Sequence, residues 1–180
     1  MTFETFENAI NVVRFWRSRT GKYDYQWPDS RDPDLIPLLE ECKTVPQDLE
    51  KAMVAITAFR SAEDGVYQSI SSIVHVIKNR QNKGMIRSHL SDVDQFPEMN
   101  SPWEKKIYKY PVKEQEFEKV LGNLDDILQG KTIDITQGSI YFGVVGSDMP
   151  KWFADIVHSP DMERTVKISN TTFYKPKEKK

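Results

Sequence analysis

One carboxylic acid in the sequence, Glu63, has a spacing that could prepare it for proton donation. Ala52, Ile56 and Phe59 form a helical apolar stripe, and continuing this stripe by four residues reaches Glu63. If the helix persists, the carboxyl lies at the edge of an apolar face, where loss of water raises its pKa. A carboxyl kept protonated near neutral pH can donate a proton to a glycosidic oxygen. The alternative is that residues 63–65 form a helix end with exposed acids before a turn, and both interpretations stay open.

A glycosidase that uses two carboxylates also needs a second acid as nucleophile or base. Asp64 follows Glu63 directly and is expected to point elsewhere. Asp92, Asp94 and Asp134 lie in polar stretches, where a solvated loop residue is the default. For a chain that does cleave a glycan, attack by the sugar's own hydroxyl needs no second carboxylate, so the lack of a pair mildly favours transglycosylation over hydrolysis.

Four further residues are candidates for holding a sugar. Gln95 could hydrogen-bond to it, and Phe96 could either stack on it or belong to the core. Tyr141 and Trp152 offer amphipathic aromatic surfaces suited to pyranose faces, and a core position is about equally expected for both.

The remaining candidates are expected to be structural. Asn79 and Arg80 at a helix end favour capping or bracing of the fold, and His75 between apolar residues favours packing. Cys42 is the one cysteine, so no internal disulfide can form, and no cysteine or histidine cluster has the spacing of zinc ligands. We therefore expect neither a metal nor a cofactor.

Helical periodicity covers much of the first 128 residues. Ile70, Ile73, Val74 and Ile77 follow the pattern of a buried helix face, which predicts a core helix over residues 69–81. Other helices are predicted over residues 3–19, 35–42, 46–60 and 112–128, with an irregular stretch over 85–110.

The C-terminal part has a different pattern. Residues 140–145 and 165–174 are rich in β-branched and aromatic residues, which predicts antiparallel strands that bring Tyr141 near Asn170. Residues 175–180 are interpreted as a disordered tail. Helices followed by a small sheet predict one α+β domain over residues 1–180.

Charge and hydropathy exclude several classes of protein. The sequence has 25 Lys and Arg against 27 Asp and Glu, a net charge of -2, so a nucleic-acid partner is not expected. The acidic N-terminus lacks the basic start and apolar run of a signal peptide, and there are not 18 uninterrupted apolar residues. We expect a chain made in the cytoplasm, without membrane insertion.

Three separated groups of segments, taken together, resemble the cell wall hydrolase family typified by the spore cortex-lytic enzymes. The resemblance covers residues 56–174 and rests on the common order of motifs that are individually unspecific. These motifs are Ser61-Ala62-Glu63-Asp64-Gly65 before a helix ending in Asn79-Arg80, then Gln95-Phe96, and then Gly138-Ser139-Ile140-Tyr141-Phe142, Trp152 and Ile168-Ser169-Asn170-Thr171-Thr172-Phe173-Tyr174.

The resemblance implies a lysozyme-like helical core with a small C-terminal antiparallel sheet, and cleavage of the glycan strand of peptidoglycan by a glutamate general acid. Counting back without a gap from Asn79-Arg80, the family's acid falls on Ser61, which has no suitable acidic proton. Glu63 takes over if it reaches the same space or if two residues are deleted before the helix. The family's closing Gly and His are also replaced, by Ser169 and Thr171.

Two functions follow as expectations. The first is a lytic transglycosylase or muramidase-like enzyme in which Glu63 protonates the leaving oxygen. Its glycan contacts are assigned to Ser61, Gln95, Phe96, Tyr141, Trp152 and Asn170. The second is a catalytically silent descendant that binds glycan or a protein partner. The family also occurs in phage lysis and tail proteins, so a virion component, or release by another system, would account for a chain without an export signal.

Overall fold

The computed structural model describes residues 1–21, 28, 32–62, 65–86 and 115–178. Within these ranges the chain forms six helices and three strands, which confirms the predicted α+β class. The helices are α1 Phe3–Thr20, α2 Leu35–Glu41, α3 Pro46–Ser61, α4 Tyr67–Asn82, α5 Gln115–Leu128 and α6 Lys151–His158. The strands are β1 Tyr141–Val144, β2 Met162–Ile168 and β3 Thr171–Pro176.

Helix α4 is one of the most deeply buried elements of the helical layer. Ile70, Ile73, Val74 and Ile77 are fully buried, as their spacing predicts. Helix α4 contacts α3 and α5, and α1 contacts both of those helices as well as α2. The core prediction made from this stripe is confirmed.

Three phenylalanine rings connect helices α1, α3 and α5. The ring of Phe117 on α5 lies 5.0 Å from that of Phe6 on α1 and 5.1 Å from that of Phe59 on α3, edge to face in both cases. Such pairs add to the free energy of burial because the edge of one ring meets the face of the other. These aromatic contacts therefore connect α1, α3 and α5 to one another.

The sheet has the strand order β1-β3-β2, with both neighbouring pairs antiparallel. The segment 165–174, which the sequence indicates as one strand, is instead a hairpin of β2 and β3. Its two-residue turn is Ser169-Asn170, and Ser169 has a left-handed φ of 52°. The turn lacks the glycine that usually marks this position, which is why composition alone indicates one strand.

The two faces of the sheet are covered by different elements. Phe142, Phe173 and Val166 pack against the helical core, so one face rests on the helical layer. On the opposite face the ring of Phe153 of α6 lies against Gly143, so close that a Cβ on Gly143 would be 2.6 Å from it. The centre of the Phe153 ring is 5.7 Å from that of Tyr174. Helix α6 was not predicted as a helix, since it is only eight residues long.

The predicted tail begins too early in the chain. Lys175 and Pro176 belong to β3, and Lys175 Nζ lies 3.4 Å from Glu163 Oε1 on β2. The backbone N–H of Lys177 also donates to the carbonyl of Asp161. Strand pairing with β2 therefore orders residues that the sequence assigns to a disordered end.

Candidate functional site

Three of the predicted site residues, Glu63, Gln95 and Phe96, lie outside the described residues. The structure does bear on the reasoning that selected Glu63. Helix α3 ends at Ser61, and Ala62 is extended, with φ -88° and ψ 109°. The helix therefore does not persist to Glu63, so the argument that continues its apolar stripe to that residue is wrong.

Ser61 is the last residue of α3 and is buried, with 9% of its surface exposed. Ala62 accompanies it at 6%. The position that the family resemblance gives to the general acid is thus closed off from solvent in this chain. Ser61 is poorly placed to contact a polymeric substrate directly.

Asn79 and Arg80 brace the end of α4 against the segment that leads into β1. Asn79 Nδ2 donates to the carbonyl of Ser139 at 3.1 Å, and Arg80 Nε donates to the carbonyl of Ile140 at 2.7 Å. The guanidinium of Arg80 also lies 6.0 Å from the centre of the Tyr141 ring. This bracing is the role that the sequence favours for both residues.

Asp134 is the centre of a hydrogen-bond cluster and not the solvated loop residue expected from the sequence. Its Oδ1 accepts from the backbone N–H of Thr136 at 2.8 Å and from the Thr136 hydroxyl at 2.6 Å. Its Oδ2 accepts from the N–H of Gly138 at 2.8 Å and from Asn79 Nδ2 at 2.9 Å. Partial burial acts to raise the pKa of Asp134, but the hydrogen bonds from Thr136, Asn79 and Gly138 outweigh it and hold the pKa below the ordinary value.

His75 lies beside this cluster on α4. It is 6% exposed, its Nδ1 is 3.7 Å from Asp134 Oδ1, and its Nε2 is 3.5 Å from the hydroxyl of Thr132. Burial lowers the pKa of His75, and the charge of Asp134 opposes that effect only in part. His75 is therefore a neutral, packed side chain at neutral pH, in agreement with the packing predicted for it.

Tyr141 and Asn170 are not neighbours, so the predicted proximity is wrong. The register of β1 with β3 pairs Tyr141 with Tyr174 and Val144 with Thr171. Asn170 is therefore four strand positions from Tyr141, about 13 Å along the sheet. Tyr141 is half-buried, whereas Asn170 is exposed in the hairpin turn.

Trp152 is the most exposed aromatic of the described candidates, at 47%. It lies on α6 next to Phe153, with 5.4 Å between the ring centres. Because Phe153 is held between Gly143 and Tyr174, the tryptophan stands on an anchored helix. The structure thus exposes Trp152 and Asn170, half-buries Tyr141 and buries Ser61.

The described residues offer little for metal or thiol chemistry. Within those ranges no group of three or more His, Cys, Asp or Glu side chains could hold a metal ion. Burial raises the pKa of the Cys42 thiol, with a further contribution from Glu41, so the thiolate is disfavoured. In the same part of the chain no helix is both long and apolar enough to cross a membrane.

A cavity of about 350 Å³ lies between α1 and α2. Its walls come from Trp16, Arg19 and Thr20 on α1, and from Asp34, Pro37 and Leu38 at α2. Arg19 beside it pairs with Glu41 at 2.6 Å. The described lining includes none of Ser61, Asn79, Arg80, Tyr141, Trp152 and Asn170.

Comparison of the chain with models of protein families, with curated proteins and with solved structures finds no match. The resemblance to the cell wall hydrolase family therefore stays a prediction from the sequence.

Proposed function

We propose that the chain acts on the glycan strand of peptidoglycan as a lytic transglycosylase of the cell wall hydrolase type, with Glu63 as general acid. The observation that carries the proposal is the contact between motif segments far apart in sequence. Asn79-Arg80 donates hydrogen bonds to Ser139 and Ile140, directly before the strand that carries Tyr141. That strand pairs with the closing motif in β3. Three of the segments selected for their resemblance, those of Asn79-Arg80, Tyr141 and β3, thus lie in contact, which supports the proposal.

The proposed chemistry needs one acid and one internal nucleophile. Glu63 protonates the glycosidic oxygen of the N-acetylmuramic acid to N-acetylglucosamine bond and that bond breaks. A hydroxyl of the muramic sugar then attacks its own anomeric carbon and gives its proton to the Glu63 carboxylate, which restores the acid. Glu63 lies in the short connection between α3, which ends at Ser61, and α4, which begins at Tyr67. Both helices are buried, so this connection has fixed ends.

Glycan contacts are assigned to the exposed and half-exposed residues of the sheet side. Tyr141 and Asn170 lie about 13 Å apart, so they would contact different sugar units of one strand. Trp152 supplies an exposed aromatic face for a pyranose ring. Gln95 and Phe96, outside the described residues, keep their predicted roles. The proposed reaction needs neither a metal nor a cofactor. The proposal also includes no nucleic-acid partner and no insertion into a membrane.

A second candidate is a catalytically silent descendant that binds glycan or a protein partner, for example within a phage particle. The burial of Ser61 at the position of the family's acid favours it. Thr171, which replaces the family's histidine, is 4% exposed and lies on the sheet face that carries Phe173 into the core. Binding needs only a surface, whereas turnover needs the acid.

Digestion of purified peptidoglycan separates the two candidates. If Glu63 is the acid, the wild-type protein reduces the turbidity of the suspension and releases 1,6-anhydro muropeptides that mass spectrometry identifies. Glu63→Gln should then lower the rate by about 10²- to 10⁴-fold at an unchanged melting temperature. Glu118→Gln is the matched control, because Glu118 is exposed on α5, and it should retain full activity.

Ser61→Glu tests the ungapped alignment. If the natural protein is inactive and this variant gains activity, the family's acid belongs at position 61 and the chain is a silent descendant. Sedimentation of the wild-type protein with insoluble peptidoglycan, without loss of turbidity, would also support the second candidate. Full activity of Glu63→Gln in an active protein would contradict the assignment of Glu63.

A further inference from the structure

The Asp134 cluster fastens the segment before β1 to the helical layer. Both carboxylate oxygens are used, and the four donors come from Asn79 on α4 and from Thr136 and Gly138 in the segment itself. Asn79 Nδ2 additionally reaches the carbonyl of Ser139. One ionised side chain thus holds both the shape of the segment and its attachment to α4.

The network continues from this segment into the sheet. The hydroxyl of Ser139 lies 2.6 Å from that of Thr165 on β2, and the Thr165 hydroxyl donates to the carbonyl of Phe173 on β3. Ser139 and Thr136 are fully buried. Buried polar networks of this kind fix one arrangement because a broken member leaves an unpaired polar group.

The donors around Asp134 require a carboxylate. Each of the four contacts presents a hydrogen to an oxygen, and an ionised carboxylate is a pure acceptor. A proton on either oxygen would face one of these donors and displace it. The amide of an asparagine at this position would do the same, because its NH₂ group would meet a donor.

Two neighbouring residues of the segment have backbone conformations that can relax when the segment is released. Gln137 and Gly138 both have left-handed backbone conformations, with φ of 56° and 81°. For a residue with a Cβ this conformation is unfavourable outside a context that enforces it. The hydrogen bonds of Asp134 to Thr136 and Gly138 enclose Gln137 and supply that context.

The charged surroundings of Asp134 can be stated from each neighbouring element. From α4, His75 Nδ1 lies 3.7 Å from Asp134 Oδ1, and Arg80 is bonded to the carbonyl of Ile140. Within the connecting segment, Lys131 lies 3.8 Å from Asp126. The sheet reaches the cluster through the neutral hydroxyl of Thr165.

We propose that Asp134 is a pH-dependent attachment point. Protonation of its carboxylate releases residues 132–139 from α4 while the helical layer stays folded. This device is independent of the function proposed above. The open state loses the bonds to Asn79 and relaxes Gln137, whereas Ile73 and Ile77 remain buried in α4. Acid therefore changes the attachment of β1 before it unfolds the protein.

The variant Asp134→Asn mimics the protonated carboxyl at pH 7, and amide hydrogen exchange measures its effect. The N–H groups of Thr136 and Gly138 should exchange about 10- to 100-fold faster than in the wild type, since each loses a charged acceptor. Those of Ile73 and Ile77 should keep their protection. Asp126→Asn, the control at an exposed aspartate, should change neither pair. Unchanged exchange at Gly138, or an equal loss at Ile73, would overturn the proposal.

An acid titration of the wild-type protein decides the question if Asp134→Asn does not fold. The proposal requires Gly138 to lose protection at a higher pH than Ile73, and simultaneous loss would overturn it. His75→Gln sharpens the test. Protonated His75 favours the ionised form of Asp134, so removing it should move the release of Gly138 to higher pH. No movement, or movement to lower pH, would show that Asp134 does not control the segment.

Discussion

The ring of Phe153 occupies the space that a side chain on Gly143 would need. A Cβ on Gly143 would lie 2.6, 2.8 and 2.9 Å from three ring atoms of Phe153. This contact holds α6 on the sheet and so sets the position of Trp152. The glycine is required by packing, since its backbone conformation is an ordinary one.

Gly143→Ala should therefore destabilise the protein by about 1 to 3 kcal/mol, because the ring must shift or leave its site. Gly122→Ala on the exposed side of α5 is the matched control. No atom lies within 4 Å of its added Cβ, and a helical alanine should stabilise by about 0.5 to 1 kcal/mol. Urea denaturation measures both. Equal effects of the two substitutions would contradict the packing role of Gly143.

Ser169→Gly should stabilise the hairpin of β2 and β3. Ser169 has a φ of 52°, a left-handed conformation that costs a residue with a Cβ about 1 to 2 kcal/mol. Glycine removes this cost, but its greater freedom in the unfolded chain offsets part of the gain. We therefore expect a net increase of about 0.5 to 1 kcal/mol in the free energy of unfolding. Ser169→Ala retains the Cβ and should give no gain. A gain of the same size in both variants would exclude backbone strain as the cause.

Ile73→Asp should prevent folding at ordinary temperatures. Ile73 is fully buried on α4. An unpaired buried charge costs several kcal/mol, compared with a total stability of about 5 to 15 kcal/mol. Gln68→Glu, on the exposed side of the same helix, should leave the melting temperature nearly unchanged. Circular dichroism during heating distinguishes the two. An Ile73→Asp protein that melts like the wild type would reject the core assignment.

His75 should make the protein less stable in mild acid. Because burial lowers its pKa below 6.5, the unfolded chain takes up a proton at a higher pH than the folded chain does. The free energy of unfolding should then fall as the pH drops below about 6.5, until the pKa of the folded state is passed.

Chemical denaturation at several pH values measures this dependence. His75→Gln should flatten it, and His158→Gln, a control at an exposed position on α6, should not. If the His75 variant kept the wild-type slope, the dependence would have to come from another group.

The long helices were predictable because their buried faces repeat with the helical period. Helix α4 and the stripe through Ile70, Ile73, Val74 and Ile77 are the clearest example. Helix α6 was missed although Trp152, Phe153, Ile156 and Val157 have helical spacing, because eight residues hold only about two turns of such a repeat. Its position depends on the gap at Gly143, which is a tertiary feature absent from any local pattern.

The candidate site was less predictable than the fold. Asn79 and Arg80 were correctly interpreted as braces, but their acceptors are backbone carbonyls of Ser139 and Ile140, which carry no sequence signal. Asp134 was missed, although an aspartate two residues before a threonine is a spacing suited to a side-chain turn. The helix predicted over residues 46–60 ends within one residue of the observed end of α3 at Ser61, so it was the extension of its stripe to Glu63, and not the helix itself, that was wrong.

The strand order β1-β3-β2 has a consequence for folding during synthesis on the ribosome. Strands β1 and β2 are both made before β3, and neither pairs with the other. Among the residues that the structure describes, they have no strand partner until Thr171–Pro176 has emerged, and the same segment delivers Phe173 to the core. The helical layer can collapse while the chain is still growing, but the sheet must form in one late step around its last strand.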